Sequence, residues 1–360
     1  EILIGLVGSE MCIRDSRLKE DQPLLEAGHC VAYQQLILKE YTAFSTELKP
    51  AAGTVKESTS LGNLRYSASG VEYSFNKLTG FIDGVKIDGM SVLADGYPLK
   101  PNFWRAPTDN DYGVNLQLRF AAWRSPHYVL ESFSTEEVGQ IRRITAKYAL
   151  DNLEGVALTM VYDISPSGEM RVSQSLKASA ASGRIPGFFR FGMNLVMPGQ
   201  FSTLCYYGNG PEESYVDRNS SQTIGVYRQS VNSQYYPYIR PQETGNKTAL
   251  RWWKVVNDGG MGLCFHSDRE FAASALNRLC DDLDDGADKY IRQSHGNLVG
   301  PRELTAVNID GAQQGLGCID SWKSEPRPQY MLEAGDYEFK FVVTPMRSDN
   351  FRGTYKKVDI

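Results

Sequence analysis

The sequence has little that would bind a metal, span a membrane or grip a phosphate. It contains only four His, at 29, 127, 266 and 295, and no two have metal-ligand spacing. Its six Cys, at 12, 30, 205, 264, 280 and 318, form no CxxC and no regular pattern. That argues against a zinc site or a disulfide framework and for buried free thiols. GxSxG is absent, so a nucleophile-elbow hydrolase is not suggested. The glycine-rich stretch 308–322, NIDGAQQGLGCIDSW, is not GxGxxG after a strand, and a phosphate-binding reading is weak. There is no apolar run of about 20 residues. The opening run Ile2 to Val7 follows an acid and lacks a basic n-region, so it does not read as a secretory signal. Net charge is −5 and the pI about 5.6, which leaves no electrostatic footprint for nucleic acid or anionic membrane.

What is present is a strand-and-turn composition: 20 Tyr, 33 Gly and 16 Pro in 360 residues. From about residue 60, period-2 runs recur between turns. Val71, Tyr73 and Phe75 alternate, as do Val156, Leu158, Met160 and Tyr162, and Tyr337, Phe339, Phe341 and Val343. Such runs predict antiparallel sheets in a large sandwich. One helix is predicted over 115–124. Of the adjacent Trp252 and Trp253, one should face in and one out. Upstream, HCVAYQQLILKEY (29–41) reads as a single strand with Val31, Tyr33, Leu36 and Leu38 as core contacts. A lone strand cannot pair its own edges. Residues 46–59 are rich in Pro, Gly, Ser and Thr and read as a linker.

Three further stretches carry chemistry. FWRAPTDNDYG (103–113) reads as a turn in which Asp109, Asn110 and Asp111 bond local backbone or Arg105. Its Asp-Asn-Asp spacing touches a calcium loop, but the closing Glu is missing. YYGNGPEESYVDR (206–218) and YYPYIRPQETGNKTALRWW (235–253) place aromatics beside Arg, Glu and Asn, which suits sugar hydroxyls and C–H faces and equally suits a sandwich core.

Together with NIDGAQQGLGCIDSW, these stretches in this order resemble the C-terminal, small-chain domain of glycoside hydrolase family 2 β-galactosidases. The resemblance covers roughly 60–345. It implies an all-β fold, a large antiparallel β-supersandwich of galactose mutarotase type, and residues 17–45 resemble the end of the immunoglobulin-like domain that precedes it. It implies hydrolysis of terminal β-galactosides by two Glu about 5 Å apart. Those Glu, most galactose contacts and Mg2+ (with Na+ as a further ion) lie in a TIM barrel that this chain does not match. No catalytic residue, metal or cofactor is therefore assigned here, and the fragment alone is expected to be inactive. Trp322 is the implied substrate-stacking residue and Gly113 the hinge of a mobile loop. Arg105, Asp109, Asn110, Asp111, Asp217, Arg218, Glu243 and Asn246 match family positions and are given structural roles. Cys318 stands where the family more often has Gly. The implied partners are a β-galactoside, the missing barrel (upstream or as a separate large subunit) and further copies of the same protein. The implied compartment is the cytoplasm, with the periplasm as alternative. Two other readings are a stand-alone carbohydrate-binding sandwich and a mutarotase-like enzyme, the latter needing a His–Glu pair. GLVGSEMCIRDS resembles translated sequencing adapter, so residues 1–16 are expected to be a non-native leader. The domain itself is expected over 60–346, with a polar tail over 347–360.

Overall fold

The alternating runs become strands. Val71, Tyr73 and Phe75 are buried in the strand Val71–Asn76, and Leu158, Met160 and Tyr162 in Ala157–Ile164. Trp253 is fully buried and Trp252 only half-buried. The computed structural model describes residues 10–60, 62–181, 183–286, 289–292, 294–317 and 323–349. Five antiparallel strands between Lys56 and Ser91 form one sheet. Twelve more form a second sheet, which runs from Thr223–Ser230 at one edge to Tyr128–Val138 at the other. The small sheet packs on the large one through aromatic contacts: Phe75 lies 5.2 Å from Tyr162, and Phe81 lies 5.5 Å from Tyr148. One continuous apolar core joins the two layers, as an antiparallel sandwich requires.

The large sheet branches at Gly262–Leu276, a 15-residue strand. Its first half pairs with Tyr337–Met346 and its second half with Leu304–Gln313. Leu304–Gln313 then pairs with Arg190–Pro198, which pairs with Lys100–Asn102. This branch sets the loops of 103–113 and 314–317 side by side. The helix predicted over 115–124 is present as two short turns, Leu116–Arg119 and Ala121–Trp123. Among the described residues no helix is long and apolar enough to cross a membrane.

Two expectations for the N-terminal part are corrected. The strand Cys30–Lys39 is not alone, because Glu10–Arg17 pairs with it as a hairpin. Its apolar side chains are not core contacts either: Val31, Tyr33, Leu36 and Leu38 are 44–61% exposed. A two-stranded hairpin has no second layer to cover its face. It leans on the edge strand through Gln35, whose amide nitrogen donates to Ile224 O at 2.8 Å.

The segment read as a linker, 46–59, runs along the sheet together with Ser45 just before it. Ser45 N donates to Ser267 O, and Lys49 N to Glu169 Oε2. The His266 ring nitrogen Nδ1 lies 3.0 Å from Ser45 O. His266 and Glu169 thus hold this segment in place. Lys56–Ser60, at its end, is the first strand of the sandwich.

Candidate functional site

The stretch 103–113 folds around a helical turn rather than a plain turn. Thr108 caps the helix Asp109–Gly113: its hydroxyl accepts from Asp111 N, and Asp111 Oδ2 accepts from Thr108 N. This reciprocal cap satisfies two backbone donors of the first turn. Asp111 also accepts from Arg105 Nη2 at 3.0 and 3.1 Å, and both side chains are buried. Arg105 donates onward to Gln314 O at 2.5 Å and Gly315 O at 3.0 Å. Its guanidinium lies 4.8 Å from the Phe189 ring centre. One buried arginine therefore ties the helix to the glycine-rich loop.

Asp217 ties the same loop from the other side. Its carboxylate accepts from the N–H of Leu316 and of Gly317, each at 3.0 Å. The loop can approach this closely only because it is glycine-rich. A Cβ on Gly315 would stand 2.4 Å from Asp217 Oδ2, and one on Gly317 would stand 2.3 Å from Ser324 O. Gly317 also has φ +85, which favours glycine. Trp322 and Cys318 lie outside the described residues. The chain is described again at Lys323, whose Cα is 3.1 Å from where a Gly113 Cβ would be. Gly113 has no left-handed φ, and a Cβ there would sit tight against the Lys323 backbone.

Asp217→Ala is expected to cost about 1–3 kcal/mol, because it strands two backbone donors. Amide exchange at Leu316 and Gly317 should quicken about tenfold or more, while the core strand amides keep their protection. Unchanged exchange at both amides would refute the anchoring role.

Arg218 donates to Glu213 and to the Tyr238 hydroxyl, and lies 5.2 Å from the Tyr215 ring centre. Glu213 in turn accepts from Thr244 Oγ1 and Gly245 N. Asn246 is fully buried, and its side-chain amide and backbone carbonyl both bond the Ser214 backbone. Glu243, 7% exposed, accepts from Arg190 Nη2 at 3.1 Å and Gln313 Nε2 at 3.3 Å.

Asp310 completes this group and was not singled out in the sequence. Its Oδ2 is 3.4 Å from Arg190 Nε, and among the described residues neither of its oxygens accepts a hydrogen bond. Burial pushes its carboxyl up to about 7; Arg190 opposes that, and Glu243 adds to it. The signal that could have found it is an Asp in phase with Asn308 on a strand whose other face, Val307 and Ile309, is core.

These residues converge. Asp109, Asn110, Arg218 and Glu243 line one cavity of about 150 Å3 with Thr108 and Tyr238. Arg105, Asp111, Asp217 and Asn246 do not line it. The Asp109 carboxylate faces Lys289 at 3.5 Å and Arg240 at 3.7 Å. Asp111 faces Arg105. The acids of 109–111 thus face cations of the protein, which does not suit a calcium loop. Among the described residues no group of three or more His, Cys, Asp or Glu is placed to hold a metal ion. Chemically, the cavity offers paired charges and a phenol for hydroxyl recognition.

The beta galactosidase small chain family matches residues 67–343. A β-galactosidase of Priestia megaterium is 30% identical over 333 residues, covering 92% of this chain and 31% of its own length. A β-galactosidase small subunit of Latilactobacillus sakei is 26% identical over 306 residues, covering 76% of this chain and 92% of its own length. The chain thus spans under a third of the first relative and nearly all of the second. Among solved structures, a galactose mutarotase related enzyme from Lactobacillus acidophilus aligns with a TM-score of 0.43 and 8% identity. That alignment covers 80% of this chain and 98% of the other.

Proposed function

Because this chain belongs to the beta galactosidase small chain family, we propose that it is the C-terminal part of an enzyme hydrolysing terminal β-D-galactosides of the lactose type. The two carboxylates of the retaining mechanism would come from a barrel outside this chain, either upstream or in a separate large subunit. The observation that carries this reading is the family match over residues 67–343, and Arg105 and Asp217 hold the glycine-rich loop that the family shares. Such bracing fixes 314–317, the chain just before the stretch that carries Trp322, the residue we take to stack on substrate in the complete enzyme. A stacked indole there adds binding of the aglycone without chemistry.

The Mg2+ of the complete enzyme does not fit the residues here. The acids around the cavity are committed to Arg105, Arg190, Arg218, Arg240 and Lys289. We therefore assign the ion to the barrel and derive no step through it.

The test is an assay of residues 17–360 with a nitrophenyl β-galactoside. No turnover is expected from the chain alone. Activity is expected to return when the barrel-bearing part of a relative is added. In that complex Trp322→Ala should raise KM about tenfold and change kcat less. Clear turnover without a barrel would end this reading.

A further inference from the structure

A second cavity, of about 390 Å3, lies on the face of the branch strands that turns away from the core. On Arg190–Pro198, Leu304–Gln313 and Gly262–Leu276, the residues Met193, Leu195, Val307, Ile309, Ala273 and Ala275 are core. The alternate positions carry Asn194, Asn308 and Ser274, opposite one another in register. Asn102, on the neighbouring strand, joins them. All four line the cavity with Tyr97 and Trp104.

These side chains orient one another. Asn308 Oδ1 accepts from Asn102 Nδ2 at 3.0 Å and from Asn194 Nδ2 at 3.1 Å. Asn308 Nδ2 donates to Ser274 Oγ at 3.1 Å. Asn194 Nδ2 spends its other proton on Val307 O, and Asn102 Oδ1 accepts from Trp104 N. A carboxamide has two donors and an acceptor oxygen. What remains, among the described residues, is the Asn194 carbonyl oxygen, one N–H each on Asn102 and Asn308, and the Ser274 hydroxyl proton.

The lining also carries charge, with Lys100, Arg124, Arg190 and Arg278 against Glu243 and Asp281. Arg190 faces Glu243, and Arg124 lies 3.2 Å from Asp284. Between these charges the three carboxamides and the hydroxyl suit a ligand that both donates and accepts at closely spaced points. Vicinal hydroxyls on a ring do this, and Tyr97 and Trp104 supply the apolar wall that a ring's C–H groups need. The volume falls within the roughly 300–1,000 Å3 of small-molecule sites.

We propose that this cleft is a carbohydrate site in its own right, taking one pyranose through Asn102, Asn194, Asn308 and Ser274. It stands on the cleft alone and does not depend on the hydrolytic reading above.

The test titrates the full chain, 15N-labelled at asparagine, with D-galactose and with D-glucose. Saturable shifts of the Asn102, Asn194 and Asn308 carboxamide signals are expected with at least one sugar. Asn194→Ala should weaken binding about tenfold, as for one lost hydrogen bond of about 1.4 kcal/mol. Trp322→Ala should leave it unchanged. Absence of saturable shifts, or their loss in Trp322→Ala, would overturn the proposal. The shifts in the unmodified chain decide the matter even where a substitution disturbs folding.

Discussion

Arg105→Ala is expected to cost about 3–5 kcal/mol of folding stability. The residue is fully buried, and so is its partner Asp111. Truncation leaves the Asp111 carboxylate without its counter-charge in a dry site. It also strands the carbonyls of Gln314 and Gly315, which Arg105 bonds across 209 and 210 residues of chain. A domain commonly has only about 5–15 kcal/mol in total, so a large share would go. A urea unfolding midpoint measures the loss. Arg105→Lys keeps the charge but not the fork, and should fall between. The double variant Arg105→Met with Asp111→Leu should cost less than Arg105→Ala, because no lone charge is left behind. A midpoint unchanged by Arg105→Ala would mean that this arginine does not brace the loop. A double variant as poor as the single would move the weight from the ion pair to the two carbonyls.

Much of the sandwich was legible because period-2 burial is a local property. Leu158, Met160 and Tyr162 alternate, and the structure buries them all. Apolar content misled at 29–41. It marks a strand; it cannot say whether anything covers its faces. Val31 and Leu38, read as core contacts, lie on opposite faces of the strand and both are exposed. The branch at Gly262–Leu276 was hidden for another reason. Its pairing changes partner midway along one strand, across the polar residues 267–270. At the site, Arg105 and Asp111 were legible because they lie six residues apart in one dense cluster. Arg190 and Asp310 were not, since each sits in an ordinary strand and Arg190 meets Glu243 across 53 residues. No local pattern marks such a meeting.

Asp310→Asn is expected to stabilise the fold, and to do so far more at pH 8 than at pH 5. In the unfolded chain an Asp titrates near 3.9. In the fold, burial holds the Asp310 carboxyl up at about 7, with Glu243 adding to the effect and Arg190 opposing it. Between those values the folded chain keeps a proton that the unfolded chain has lost. Stability therefore falls as pH rises from about 4 to about 7, and is level above that. Each pH unit is about 1.4 kcal/mol, so the whole effect is ~4 kcal/mol, and about 3 of it lies between pH 5 and pH 8. An amide of the same shape carries no charge to bury and removes the slope. Unfolding midpoints of both chains at pH 5 and pH 8 measure it. An equal effect at the two values would mean that Arg190 keeps Asp310 ionised throughout. Glu243→Gln is the complementary variant. It removes one of the two carboxylates around Arg190, so the slope due to Asp310 should move to lower pH rather than vanish. Together the two variants separate burial, which acts on Asp310 alone, from repulsion, which needs both acids.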